Sequence, residues 1–497
     1  MSEWGLAESE YVASLQCELR AWLDRRRVDP RPQGTLDLER GELLACLEVE
    51  LAPAARMVER GEGSLEAVRT QLEEGAIRAW VEVRVEADGV RVWLDALERV
   101  PPGGAGEGGL RLHVLSSGRA RFESDCDRAA LHLHVLRHAL PETRIAAVVL
   151  AGPDPRRRRS ARGTPWRMRD ITGEVELLAG DVPDQLARAR AAACGERPSV
   201  EPSPHCRRPV PCPHRPACTS AQTPGVLLDL PRIDAATYAG LRARQVERVE
   251  DIPDDVALTP LQRRAVRAHR LGEVVQESAL GSEVGELAPP TAYLDFEYVM
   301  PALPWFEGQR PYQPLPCQWS LHRVDASGQS SHSDFLASGP ADPRPEFARS
   351  LVDALDGDAC PVLIYSPAEA EILIDLGETL PELAAPLRRI RDRLVDLQAL
   401  LMRHVYHPAL RGSFGLKRVV SALDVARGYE DLLEISHGAQ AARALWRLLR
   451  TGVSPAQAEP LRRALRAYCS RDTEVLVELH RWLAQRSSTQ RAPSSPE

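Results

Sequence analysis

Apolar positions recur along this chain in two periods, two and about 3.6 residues, and the switches between them mark out its organisation. In the first 150 residues helical patterns alternate with β-rich runs. Residues 79–85 and 89–97 alternate apolar and polar side chains around Ala87-Asp88-Gly89, which predicts a hairpin; residues 110–116 predict the next strand, and a helix over 127–138 follows. Periodicity disappears between 197 and 223, where Pro, Cys, His and Arg dominate. Such a stretch cannot build a core of its own, so something else must order it. Short helical patterns at 237–245 and 259–271 flank Val249-Glu250-Asp251-Ile252-Pro253 and predict a small helical connector. From Thr291 a strand and a hairpin lead into alternating strands and helices, closed by an amphipathic helix over 459–485 and a polar tail. The expected layout is therefore α/β, with domains at 1–224 and 288–487, a connector at 225–287 and a disordered tail at 488–497. No tandem repeat is present.

Composition narrows the class. At 497 residues the chain exceeds one ordinary core. With 43% hydrophobic and 27% charged residues it reads as globular. Its apolar runs are short and broken by charge, so none predicts a membrane-spanning helix, and the acidic start lacks a signal-peptide layout. The expected compartment is the cytoplasm, where ten cysteines stay reduced and clustered ones are first of all candidate metal ligands. A net charge of -8 excludes a generally basic nucleic-acid coat and leaves room for a local groove.

The strongest chemistry lies after residue 290. Ala292-Tyr293-Leu294-Asp295-Phe296-Glu297 is an apolar strand whose two acids, at i and i+2, leave on one face. Converging carboxylates suit hard Mg²⁺ or Mn²⁺, and two such ions about 4 Å apart can activate water and stabilise the leaving oxygen of a phosphodiester. Tyr468 and Asp472 stand at i and i+4 on the final helix, where Asp472 can add a ligand and Tyr468 can orient the water. Between them, a strand at Val362-Leu363-Ile364-Tyr365 precedes a helix carrying Glu369 and Glu371, either of which can supply the next carboxylate, and Val395-Asp396-Leu397 offers a further acid. Alone, an Asp-x-Glu on a strand is commonly a solvated face. The order of the motifs is what makes it chemical.

That order, with Asp-x-Glu on the first strand, an acid on a mid-domain helix and Tyr-x-x-x-Asp on the last helix, resembles the DnaQ-like exonucleases of the DEDD type. Residues 291–485 are similar to the C-terminal module of a bacterial family that fuses a RecB-like PD-(D/E)XK domain to a DnaQ-like, RNase H-like domain. The resemblance rests on Leu294-Asp295-Phe296-Glu297, Arg310-Pro311-Tyr312-Gln313 with Pro316, Gln318 and Ser320-Leu321-His322, Asp342-Pro343-Arg344, Val395-Asp396-Leu397, His407-Pro408, Gly412-Ser413 with Lys417, and Tyr468-Cys469 with Asp472-Thr473. The family's Tyr-Asn at the second motif is Tyr365-Ser366 here, and its acid is replaced by a glutamate, Glu369 or Glu371. The resemblance implies 3′-to-5′ hydrolysis with two Mg²⁺ or Mn²⁺ ions on Asp295, Glu297, Glu369, Asp396 and Asp472, with Tyr468 positioning the water. Lys417 either contacts a phosphate or is a solvated lysine.

In the N-terminal half Cys206, Cys212 and Cys218 recur every six residues in the loop-like stretch, and three thiolates need a fourth ligand, for which Cys17 is the candidate. One remote and three clustered cysteines resemble the [4Fe-4S] staple of RecB-like nucleases; His205 and His214 keep Zn²⁺ as the alternative. Asp95 fits the first acid of a PD-(D/E)XK core, but His113 and Leu115 stand where the family has its Glu-x-Lys, and His132 and His134 where it has Gln and Tyr. A leucine cannot do a lysine's electrostatic work, so this core is expected to be inactive. It could still hold nucleic acid through Arg156, Arg157 and Arg158, unless that run is simply solvated. The expected whole is a two-lobed nuclease acting on nucleic acid, DNA more readily than RNA. The alternative is a non-catalytic scaffold in a repair or phage-defence complex.

Overall fold

The structure is a computed structural model that describes residues 5–26, 35–51, 65–74, 79–101, 108–116, 122–161, 163–219, 225–425, 428–432, 434–450 and 453–489. Of the expected tail, residues 490–497 lie outside these, whereas 488 and 489 complete the last helix. The fold is mixed α/β and divides into two compact units: Met1–Ser220 with Pro301–Gln313, and Ala221–Met300 with Pro314–Glu497. Among the described residues no helix is long and apolar enough to cross a membrane.

In the first unit the strands are β1 (Leu6–Ala7), β2 (Ala79–Ala87), β3 (Val90–Val100), β4 (Gly109–Leu115), β5 (Ile145–Pro153) and β6 (Trp166–Asp170), in the order β1-β3-β4-β5-β6 with β2 on β3. The β2–β3 hairpin turns on Asp88 and Gly89, both at positive φ (47° and 64°), as a two-residue turn matching strand twist requires. Alternate residues Val83, Val85, Val92 and Leu94 fill the core. The helix Phe122–Ala139 crosses between the parallel pair β4 and β5 and starts five residues before its apolar period. Its first turns are polar because Asp125 and Arg128 serve a buried charge network, which no hydrophobic pattern reports.

Asp95 is the centre of that network and is wholly buried. Its carboxylate meets the guanidinium of Arg40 at 2.7 Å and that of Arg128 at 3.2 Å, and accepts the Leu115 backbone N–H at 2.8 Å. Asp125 and Glu8 add their fields to Arg128. His113 binds Glu98 at 3.0 Å, His132 binds Glu8 at 3.1 Å and His134 binds Asp88 at 3.1 Å. Positive charge is thus already supplied to the acid by arginine. Arg128→Ala, by leaving a buried carboxylate short of a partner, is expected to destabilise the chain by about 3–5 kcal/mol in urea unfolding.

In the second unit β7 (Val275–Gln276) pairs with β13 (Val405–Tyr406), and the main sheet contains β8 (Thr291–Val299), β9 (Leu315–Val324), β10 (Ser330–Leu336), β11 (Val362–Ile364) and β12 (Leu394–Asp396) in the order β10-β9-β8-β11-β12. β8 is central: antiparallel to β9, parallel to β11. One set of its alternate residues, Ala292, Leu294 and Phe296, packs against Phe347, Leu351 and Leu373. On the other face Tyr293 packs with Leu397, Leu476 and Leu479, and its hydroxyl meets His480 Nδ1 at 2.8 Å. The helix Pro455–Thr489 therefore lies along the face that carries Asp295 and Glu297. The expected separate connector is revised: Leu227, Val249, Ile252 and Ala265 share one core with Tyr293 and Leu476, so its short helices bury their apolar faces in this unit.

Candidate metal centre

Strand β8 and the helix Pro455–Thr489 bring three carboxylates together. One oxygen each from Asp295, Glu297 and Asp472 lies within 4.8 Å of the others. Glu369 joins from the first turn of the helix Ala368–Thr379; it is buried, takes a hydrogen bond from Ser366 Oγ at 2.8 Å and bonds the main chain of Phe296. Glu371, two residues on, is exposed, so of the two glutamates only Glu369 faces the acids. Asp396 is engaged as a helix cap, its Oδ1 accepting the N–H groups of Gln398 and Ala399 at 2.8 and 3.2 Å at the start of the helix Leu397–His404. Its charge still reaches Glu369.

Burial, then mutual repulsion, pushes Asp295 and Glu297 well above the carboxylate range. Burial also pushes Asp472 up to about 6 and Glu369 up to about 7. Four acids at close quarters, Asp295 half-buried and Glu297, Glu369 and Asp472 buried, call for a compensating cation, and their hard oxygens fit Mg²⁺ or Mn²⁺.

Lys417 is a cation whose field reaches the cluster, acting on Glu297 and Asp472. Its ammonium lies 4.6 Å from the ring centre of Tyr429 and 5.0 Å from that of Tyr468, and donates to the Ser436 carbonyl. Burial lowers its pKa while the two acids raise it. Tyr468 is buried and its hydroxyl approaches Asp472. A second tyrosine, Tyr429, donates to Asp472 Oδ1, and it escaped the sequence reading because its surroundings, Gly428-Tyr429-Glu430-Asp431, carry no period or motif. Cys469 stands 3.4 Å from Asp295 Oδ2, and Thr473 bonds Ser320 and His322, both at 2.8 Å, fastening the helix to the sheet beside the acids.

The four cysteines belong to the first unit, and the charges of Cys17, Cys212 and Cys218 act on Cys206. Cys17 forms the extended break between the helices Glu8–Gln16 and Glu18–Arg25. Gln16 Nε2 ties that break to the loop through the carbonyls of His205 (2.8 Å) and Val210 (2.7 Å), while Cys212 N–H donates to Cys206 O at 2.9 Å. Burial raises the Cys206 thiol pKa, and the charges of Cys17, Cys212 and Cys218 raise it further. Yet among the described residues no three of these sulfurs lie within 4.8 Å of one another. Tetrahedral zinc, with Zn–S of about 2.3 Å, draws sulfurs to roughly 3.8 Å; a four-iron cube between them needs more room. His214 is held by Asp24 at 2.8 Å, and His205 by Ser203 at 2.5 Å.

Arg156, Arg157 and Arg158 are exposed between β5 and β6. Arg158 donates to the Gly308 carbonyl at 2.8 Å and Arg159 N–H to that of Gln309 at 2.8 Å, so the run anchors the 301–313 loop of its own unit.

A family model described as a domain of unknown function, DUF2779, matches residues 292–415, about a quarter of the chain. The match includes Asp295, Glu297, Glu369 and Asp396 and ends before Lys417, Tyr429, Tyr468 and Asp472. No curated protein and no solved structure matches the chain.

Proposed function

We propose that the second unit is a metal-dependent nuclease of the DnaQ-like, RNase H-like kind, hydrolysing phosphodiesters from a 3′ end. The observation that carries this reading is the convergence of Asp295, Glu297 and Asp472 within 4.8 Å, with Asp472 177 positions after Asp295 in the chain and Glu369 buried beside them. Bound there, Mg²⁺ or Mn²⁺ supplies an activated water and the charge to stabilise the leaving oxygen. Asp295, Glu297 and Asp472 hold the metal, and Glu369 completes the acid set. Tyr468 offers a hydroxyl beside Asp472 to orient the attacking water, and Lys417 offers a cation to the scissile phosphate. Direction and DNA preference come from the family resemblance. The test is release of mononucleotides from 3′- and 5′-labelled single- and double-stranded DNA and RNA with Mn²⁺. Retained binding without any cleavage would favour the scaffold reading instead.

For the first unit the proposal is a RecB-like, PD-(D/E)XK-like lobe that binds nucleic acid without cutting it. The support is Asp95, whose carboxylate is matched by Arg40 and Arg128. The proposal assigns Cys17, Cys206, Cys212 and Cys218 to a [4Fe-4S] cluster, on the family resemblance and on the charges of the other three thiols acting on Cys206. Anaerobically purified protein is expected to carry about four irons per chain and a visible absorbance band. Cys17→Ser should lose both; stoichiometric zinc in their place would overturn the assignment.

A further inference from the structure

Asp472 is gripped from outside its own helix. The hydroxyl of Tyr429 donates to its Oδ1 from a segment lying between the helices Leu416–Leu423 and Gly438–Arg450. Arg471, adjacent to Asp472, fixes that segment on both sides of the tyrosine: Nη1 donates to the Gly428 carbonyl at 2.5 Å, and the guanidinium pairs with Asp431 at 3.0 and 3.1 Å. The rings of Tyr429 and Tyr468 stand 6.1 Å apart under the Lys417 ammonium. Tyr429 is buried, and its hydroxyl is thereby delivered by backbone and side-chain anchors that owe nothing to the Tyr-x-x-x-Asp spacing.

We propose that Tyr429 is the positioning residue of the metal centre, holding the Asp472 carboxylate in the orientation that meets Asp295 and Glu297. The inference rests on the metal-centre reading above. A carboxylate on a freely turning side chain must be ordered before it can act as a ligand, and a partner that has already ordered it raises metal affinity. The two tyrosines then divide the work. Tyr429 holds Asp472 from outside the helix; Tyr468, whose hydroxyl approaches the same group from within the helix, would serve the water in a metal-loaded centre. Arg471 acts through Tyr429, as the clamp on its segment.

The experiment is calorimetric titration of the full chain with Mn²⁺, alongside single-stranded DNA hydrolysis. Tyr429→Phe keeps the ring beneath Lys417, and so the packing, while removing the hydroxyl. It should weaken Mn²⁺ binding about 10- to 100-fold, with hydrolysis recovering at saturating Mn²⁺. Tyr468→Phe should keep the parent's Mn²⁺ affinity and lose rate at every Mn²⁺ concentration. Arg471→Ala should reproduce the Tyr429→Phe affinity loss, and the double variant should bind no worse than either single one, because both act through one contact. Parental Mn²⁺ affinity in Tyr429→Phe, or additive losses in the double variant, would overturn the inference while leaving the metal centre standing. A parent chain that binds no Mn²⁺ would remove the metal-centre reading and this inference with it.

Discussion

On the proposed function, Asp295→Asn/Glu297→Gln is expected to abolish Mn²⁺-dependent 3′-end hydrolysis, a loss of roughly three orders of magnitude or more, because residues that act as one unit fail together. The amides keep the shape of the acids and remove two charges from the three-carboxylate group. Metal binding should fall with the rate, so the calorimetric Mn²⁺ signal disappears as well. Stability should move the other way. Asp295, half-buried, and buried Glu297 stand beside Asp472, and repulsion is among the causes that raise both pKa values. Neutralising them relieves that repulsion, and the double variant should unfold at higher urea than the parent in chelator at pH 8. A variant that is inactive and also less stable would point to general damage; one that still hydrolyses would show that the acids are not the nuclease centre.

In chelator, Glu369 and Asp472 should make the parent chain lose stability, relative to Glu369→Gln/Asp472→Asn, as pH rises from 5 to 8. Glu369 is raised from 4.5 to about 7 and Asp472 from 3.8 to about 6, burial being the first cause of each. An acid with a raised folded-state pKa binds its proton more tightly folded than unfolded. Between the two pKa values the folded state therefore holds more protons, and stability falls with increasing pH, in total by a few kcal/mol. For these two acids the loss begins near the unfolded pKa of each and is complete above about 7, the higher of their two folded values. This is opposite in sign to the behaviour of carboxylates paired with bases. Saturating Mn²⁺, which binds the ionised acids, should cancel the decline and raise the melting temperature most at the alkaline end. Melting curves in EDTA and in Mn²⁺ across this range check both. Because buried histidines such as His322 and His480, lowered to about 4, contribute with the opposite sign, the comparison is with Glu369→Gln/Asp472→Asn: identical pH profiles in EDTA would mean that the acids are not strained without a cation.

Strand identity and face were legible because they follow from local alternation. Residues 292–297 place apolar side chains on one face of β8, and the structure packs them against Phe347 and Leu351. The same alternation put Asp295 and Glu297 on the opposite face. Helical spacing alone put Tyr468 beside Asp472. Spacing could not choose between Glu369 and Glu371: only the turn after β11 aims the first inward and leaves the second in water. Nor could spacing show that Asp396 caps the helix Leu397–His404, its Oδ1 accepting the N–H groups of Gln398 and Ala399.

By itself, then, the sequence determined what short-range periodicity and residue chemistry encode: which segments are strands and helices, which faces they bury, and that hard oxygen donors and thiols are present in groups. Tertiary structure alone decided which groups meet. Asp95 became a salt-bridged core residue because Arg40 and Arg128, 55 and 33 positions away, reach it across the sheet. Tyr429 reached Asp472 from 43 positions away, in a segment without periodicity. Contacts of that kind depend on how packed elements converge, and a carboxylate's partner, whether guanidinium, phenol or metal, is set by that convergence and not by its neighbours in the chain.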